Sequence, residues 1–297
     1  MARSNTKLCE GEEDMNKIQV TTNEIFHDNY EEFLKGTKKG VIDLAIPVAN
    51  ILEWHKAPGL YSLATGVSQK EIEHVLYYSA YVISDPKNTG FEKGQIVLIK
   101  DLPQDGIVEA KSGIEGIQLL LNPSVMKGRF ETARAREREI MAKIEETEDG
   151  KAPDELTEEQ NEQLDRLHEE LAKERSIMDA VYYVRNSKRL EIGQIHLFPN
   201  ELRGILKQEA NLRPYAMLQI QRLYHRVISR NTRLKKLIEA DVPPIIIQNE
   251  SRMLQEYVDT LIANGRRGKP VLDAKNGEVE YPYESLTDVV ERAISYI

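Results

Sequence analysis

The side chains best equipped for chemistry cluster in one stretch of this 297-residue chain. Arg230, Arg233, Gln248, Glu250, Arg252 and Gln255 supply guanidiniums, a carboxylate and amides, a set suited to charge-assisted pairing with another macromolecule. Just beyond them, Arg266, Arg267 and Lys269 put three charges on a glycine-flanked turn, suited to backbone phosphates and unsuited to reading bases. Arg203 and Arg213 are further candidate phosphate contacts, because arginine offers a planar, always-charged donor fork. Covalent and acid–base chemistry finds less support. His55 beside Trp54 has no nucleophile or second base with it and reads as a half-buried histidine at a strand end. The neighbours Glu145-Glu146 and Glu169-Glu170 read as solvated surface, not as an acid–base couple. Gly113 and Gly116 lack the Lys-Ser/Thr that completes a phosphate loop. Cys9 is the sole cysteine, which excludes an internal disulfide and a cysteine-built zinc site and suits a reducing compartment.

Two helices must carry the polar set. Ile220, Leu223, Val227, Leu234 and Leu237 follow a three-four spacing and predict one apolar stripe. Pro243 and Pro244 cannot sit in a helix interior, so the helix ends before them. Ile247, Leu254, Tyr257 and Leu261 predict a second stripe, stopped by Asn264-Gly265. Joined by a short turn, the two fold back as an antiparallel hairpin over 218–263. Arg230 and Glu250 take heptad positions where a purely structural coiled coil places Leu or Val, and the hairpin brings them within about one helical turn. Two readings stand for this pair: an internal ion pair that sets register, or a polar face offered to a protein partner.

The rest of the chain is consistent with a folded base. Apolar residues make up 40% of it, and no run is long enough to span a membrane. Net charge is −9, yet residues 217–269 hold ten Lys/Arg against five Asp/Glu. An acidic body with a basic arm fits local contact with nucleic acid inside a larger assembly. Residues 1–39 are polar and acidic, with Tyr30, Phe33 and Leu34 as the few anchors. Gly40 to Asn50 reads as a strand that meets Pro47, with Ile51 to His55 continuing it. Ser68 to Glu71 form a capping box for a helix that turns Ile72, Val75, Leu76 and Ser79 inward and sets Tyr77, Tyr78 and Tyr81 around it as core. Gln95 to Lys100 reads as a short buried strand, and Ser112 to Leu120 as a helix. Residues 127–175 predict a second, heavily charged helical hairpin, with stripes at Phe130, Ala133, Ile140, Ile144 and at Leu164, Leu167, Leu171, Met178. Thr157 with Gln160 caps its second helix. Val181 to Val184 reads as a strand-like return, Asn276-Gly277 as the turn of a small β-ribbon, and Leu286 onward as a helix. The fold class expected is α+β, mainly α, with two helical hairpins and small β elements.

Three blocks also carry a resemblance. Leu223 to Lys236, Gln248 to Glu256 and Asn264 to Pro270 resemble, in order, the two helices of the clamp coiled coil and the rudder entry of the bacterial-type RNA polymerase β′ subunit. Gly40 to His55, Glu71 to Pro86 and Ser112 to Leu120 resemble other parts of that subunit's clamp. The resemblance implies an elongated clamp module with a protruding coiled coil. It divides the chain into an acidic N-terminal arm (1–39), clamp base (40–125), charged helical hairpin (126–180), clamp return with a lid-like loop (181–217), coiled-coil hairpin (218–263), and rudder-like loop with a terminal helix (264–297). It further implies a non-catalytic, N-terminal fragment of a split, phage-type β′. Such a fragment would dock a sigma-type initiation factor on Arg230, Arg233, Gln248, Glu250, Arg252 and Gln255. Arg203, Arg213, Arg266, Arg267 and Lys269 would then approach template DNA or the transcript. Expected partners are the remaining β′ fragment, β-like subunits, the factor, DNA and RNA. No Asp-x-Asp-x-Asp spacing occurs, so the catalytic magnesium is expected in a partner chain. The family's four-cysteine ribbon has no counterpart here. A cytoplasmic setting, bacterial or in an infected host, follows from the same resemblance. The competing reading is a stand-alone protein that sequesters the initiation factor.

Overall fold

The computed structural model describes residues 41–87, 89–103, 108–148, 156–186, 190–197, 215–273 and 281–295. In chain order the elements are β1 (Val41–Ala49), α1 (Ile51–Lys56), α2 (Pro58–Thr65), α3 (Gln69–Leu76), β2 (Ala80–Asp85), β3 (Ile96–Leu98), β4 (Glu109–Lys111), α4 (Gly113–Leu120), α5 (Pro123–Glu148) and α6 (Glu158–Asn186). They continue with β5 (Glu191–His196), α7 (Tyr215–Glu239), α8 (Pro244–Ala263), β6 (Leu272–Asp273), β7 (Tyr281–Pro282) and α9 (Leu286–Ser295). This is an α+β architecture dominated by helix. The described residues divide into two compact units, one drawn from 41–52 and from those after 191, the other from those between 53 and 191.

The first unit is built on the α7–α8 hairpin. Ile220, Leu223, Val227 and Leu234 on α7 and Leu254, Val258 and Leu261 on α8 are buried in one cluster with Ile42 and Val48 of β1. Each such side chain stabilises the hairpin by about 1.5–3 kcal/mol. The turn works as the proline pair requires: Asp241 takes a left-handed φ of 48°, Pro243 caps α8, and Pro244 opens its first turn, where no N–H is needed.

Strand β1 pairs with β5 along one edge, and the hairpin closes the other. Asn231 Oδ1 accepts the Ala45 N–H at 2.6 Å, and its Nδ2 donates to the Asp43 carbonyl at 2.8 Å. Gln255 does the same at Ala49, accepting its N–H at 2.7 Å and donating to its carbonyl at 2.9 Å. These residues alternate along the strand, so their backbone groups share an edge. Pro47 lies at the same parity. Its missing N–H therefore faces the hairpin and costs the β1–β5 ladder nothing, and the strand runs through it.

In the second unit β2 is the centre of a three-stranded antiparallel sheet, order β3-β2-β4. Helix α3 begins at the expected box, with Ser68 capping Glu71 N–H and the Glu71 carboxylate accepting the Ser68 N–H. Ile72, Val75 and Leu76 are buried, whereas Ser79 lies past the helix end and is half-buried. Helix α4 packs so closely that a Cβ on Gly116 would sit 2.8 Å from the Lys111 carbonyl oxygen and 2.8 Å from Val75; its glycines serve packing. The α5–α6 hairpin buries Ile140 and Ile144 against Leu164, Leu167 and Leu171. Arg136–Glu174 (3.4 Å) and Arg175–Glu137 (2.8 Å) bridge its two helices, and the expected Thr157–Gln160 cap is present.

Three expectations require correction. Ile51 to His55 forms helix α1 instead of prolonging β1, because the Asn50 side chain accepts the Leu52 N–H at 3.1 Å and starts a helix. Val181 to Val184 belongs to α6, where Ala180, Val181 and Val184 are buried at helical spacing; the returning strand is Glu191–His196. Gln95 to Lys100 shortens to three strand residues, with only Val97 buried, before a 3-10 turn at Ile99–Asp101. The ribbon β6–β7 pairs Leu272 with Pro282 and Asp273 with Tyr281, while the Asn276-Gly277 turn lies outside the described residues.

Candidate functional site

The α7–α8 seam brings the polar set together around Glu250. Arg230 Nη1 donates to Glu250 Oε2 at 2.6 Å, and Arg233 Nη2 lies 3.2 Å from Oε1. One carboxylate thus holds two guanidiniums, one on each oxygen. The Glu250 side chain is 5% exposed, that of Arg230 17% and that of Arg233 63%. The arrangement grades from dry to wet across a few ångströms. Arg230 also lies over the Tyr257 ring, 5.3 Å from its centroid. Burial works against the Arg230 charge, but hydrogen bonds to Glu250 and Tyr257 outweigh it and hold the guanidinium pKa above its ordinary value. The internal-pair reading therefore describes Arg230, while Arg233 leaves most of its donor fork to solvent.

The other members of the set separate. Arg252 is 40% exposed and donates to Glu256 Oε1 at 2.7 Å and to Asn249 Oδ1 at 3.1 Å. Gln248 is buried. Gln255 has no exposed surface and spends its amide on β1 and on Asp259 Oδ1 at 2.8 Å, so any part it has in docking is through position. Arg266, Arg267 and Lys269 are exposed on the turn after α8, with Arg267 Nη1 3.6 Å from Glu256. Gly265 and Gly268 take positive φ there, 82° and 155°. Arg203 and Arg213 lie outside the described residues, as does Cys9. His55, by contrast, sits exposed in α1.

Three contributors escaped the reading of the sequence. Asn231 anchors β1, and its signal was a polar residue on the α7 stripe between Val227 and Leu234. Lys235 Nζ reaches the Asp43 carbonyl at 2.8 Å. Glu256 gathers Arg252 and Arg267, and its signal was the four-residue spacing from Arg252. Near the tip, Ile238, Ile245 and Ile246 are exposed apolar residues. Among the described residues no helix is long and apolar enough to cross a membrane.

Chemically, the arrangement offers guanidinium donors along a helical hairpin, followed by a cationic turn, and so has the means to hold anions. The family model described as RNA polymerase Rpb1, domain 1, matches residues 3–287. The DNA-directed RNA polymerase subunit beta′ of Lactococcus lactis subsp. lactis (strain IL1403) is 31% identical over 261 residues, 86% of this chain and 19% of the relative. The same subunit of Nitrosomonas eutropha is 33% identical over 266 residues, 87% of this chain and 17% of the relative. That of Neisseria gonorrhoeae (strain NCCP11945) is 32% identical over 262 residues, 86% of this chain and 17% of the relative. The chain spans less than a fifth of the length of these curated relatives. With the family match running almost from end to end and identity above 30% over most of its length, the chain belongs to the RNA polymerase Rpb1 domain 1 family.

Proposed function

We propose that the chain acts as a clamp-forming segment of a β′-type subunit in a multi-subunit DNA-dependent RNA polymerase, and docks a sigma-type initiation factor on α7–α8. The observation that carries this reading is the graded guanidinium cluster. Glu250, nearly dry, holds Arg230 and Arg233; Arg233 leaves most of its donor fork to solvent, and Arg252, 40% exposed and held by Glu256 and Asn249, lies on the same hairpin. A buried carboxylate that orients two arginines costs desolvation, and a simple coiled coil gains more from Leu or Val there. A partner bearing carboxylates makes use of that pre-ordered fork, because less side-chain freedom is lost on binding. Glu250, Gln248 and Gln255 act in this scheme by positioning. Arg266, Arg267 and Lys269 meet nucleic-acid phosphates, with Arg203 and Arg213 as further contacts. The family relationship supports the polymerase setting, in which other β′ and β-like chains complete the enzyme and supply the catalytic magnesium.

The test uses the native complex. Arg233→Gln with Arg252→Gln removes both exposed charges, sets no like charge beside Glu250 or Glu256, and leaves the Arg230–Glu250 contact in place. Promoter-dependent initiation is expected to fall by about ten-fold or more, while elongation on a preformed scaffold is retained. Equal loss in both assays, or no loss in either, refutes factor docking. Failure of the chain to copurify with other large polymerase subunits refutes the polymerase setting.

A further inference from the structure

Glu256 holds two guanidiniums on a single oxygen. Arg252 Nη1 lies 2.7 Å from Oε1, and Arg267 Nη1 lies 3.6 Å from the same atom. Arg252 precedes Glu256 by one helical turn on α8, whereas Arg267 comes from the turn after the helix ends. All three side chains are partly open to solvent, so a dissolved anion can reach each guanidinium. The nearer pair is a well-formed hydrogen bond and the farther one is not. Arg267 is therefore the weaker claimant for a shared carboxylate.

We propose that Glu256 is a positioning residue that couples the docking face of α8 to the cationic turn, making acidic-partner binding at Arg252 and polyanion binding at Arg267 mutually antagonistic. This rests on the roles proposed above for Arg252 and the turn. When a partner carboxylate takes Arg252, Glu256 keeps only Arg267 as its cation and draws that side chain toward α8, away from phosphates. Linkage makes the effect reciprocal: a polyanion that captures Arg267 leaves Glu256 wholly to Arg252, which resists the acidic partner by the same factor. Both pairs are half-exposed, so the factor is modest, about three-fold.

The full chain serves for the test, with Arg252→Gln standing for an occupied Arg252. The probe is a fluorescent single-stranded DNA of about 20 nucleotides, read by anisotropy at low salt. Arg252→Gln is expected to weaken binding about three-fold, and Glu256→Gln to tighten it by a similar factor. In the Glu256→Gln background, Arg252→Gln is expected to change affinity by less than about 1.5-fold. Equal loss in both backgrounds overturns the proposal, because it signals only the loss of a positive charge. A second readout needs no ligand. The 15N-detected Nε–H signal of Arg267 is expected to shift and exchange more slowly in Arg252→Gln, and an unmoved signal overturns the coupling. If the wild-type chain ignores the probe while that signal still responds, the phosphate role of the turn fails and the coupling stands.

Discussion

Glu250→Ala removes the carboxylate that Arg230 and Arg233 share. Losing one partner of a fully buried pair costs about 3–5 kcal/mol. Here the dry member is Glu250 itself, and Arg230 keeps a 17% opening to solvent and the Tyr257 ring at 5.3 Å. The ring is worth about 1 kcal/mol to the orphaned guanidinium. Arg233, 63% exposed, rehydrates almost freely, and its share is about 0.2–1 kcal/mol. The expected net loss is about 2–3 kcal/mol. Amide hydrogen exchange followed by mass spectrometry reads this locally, in peptides from α7 and α8. Exchange there is expected to accelerate about 30- to 150-fold, at 1.36 kcal/mol per decade, with little change in the α5–α6 hairpin. Double-mutant cycles divide the loss: Arg230→Ala should couple to Glu250→Ala by about 1.5 kcal/mol or more, and Arg233→Ala by under about 1 kcal/mol. If the Arg233 coupling equals or exceeds that of Arg230, or if hairpin exchange does not change, the dry-to-wet grading is wrong.

Further outcomes follow from the same geometry. Gln255→Leu strips both hydrogen bonds from Ala49 and one from Asp259, and exchange of the hairpin and β1 should reveal a loss of about 2–4 kcal/mol. Gly116→Ala forces a methyl to within 2.8 Å of the Lys111 carbonyl oxygen; urea titration of the second unit should show destabilisation by about 1–3 kcal/mol. Burial, with smaller contributions from Glu115 and Tyr81, pushes the Tyr78 phenol well above its ordinary 10.0. A group raised in this way stabilises the fold below its unfolded value and loses that contribution as pH rises from about 10 toward the folded one. Ultraviolet titration of the native chain should leave Tyr78 un-ionised above pH 10, and Tyr78→Phe should remove one late-titrating phenol.

How much of this was legible depended on the range over which each signal acts. The α7 and α8 stripes, the proline turn and both capping boxes are local patterns, and each is present. The Arg230–Glu250 contact was legible because heptad spacing projects it across a hairpin whose turn is marked by Pro243 and Pro244. Val181 to Val184 misled because its β-branched residues favour a strand locally, whereas the helix propagating from Glu158 buries those same residues at helical spacing. Asn50 closes a strand-like pattern in the sequence, yet its side chain starts a helix. The amide struts of Asn231 and Gln255 were hidden for another reason. Their partners on β1 are backbone groups 186 to 206 residues away in sequence, and no periodicity encodes that pairing. Gln255 is accordingly fully buried where its place among polar residues of α8 suggests a surface, whereas Arg233 and Arg252 are 63% and 40% exposed.

The closure of β1 by two side-chain amides has a mechanical consequence. One amide comes from each rod of the hairpin, so the strand works as a crossbar riveted to both. From Ile245 near the tip to Gln255 is ten residues, about 15 Å of lever. A sideways load at the tip cannot splay the rods without shearing hydrogen bonds at Ala45 and Ala49 together. Force applied at the far end is thereby shared between the two rods and the strand that joins them.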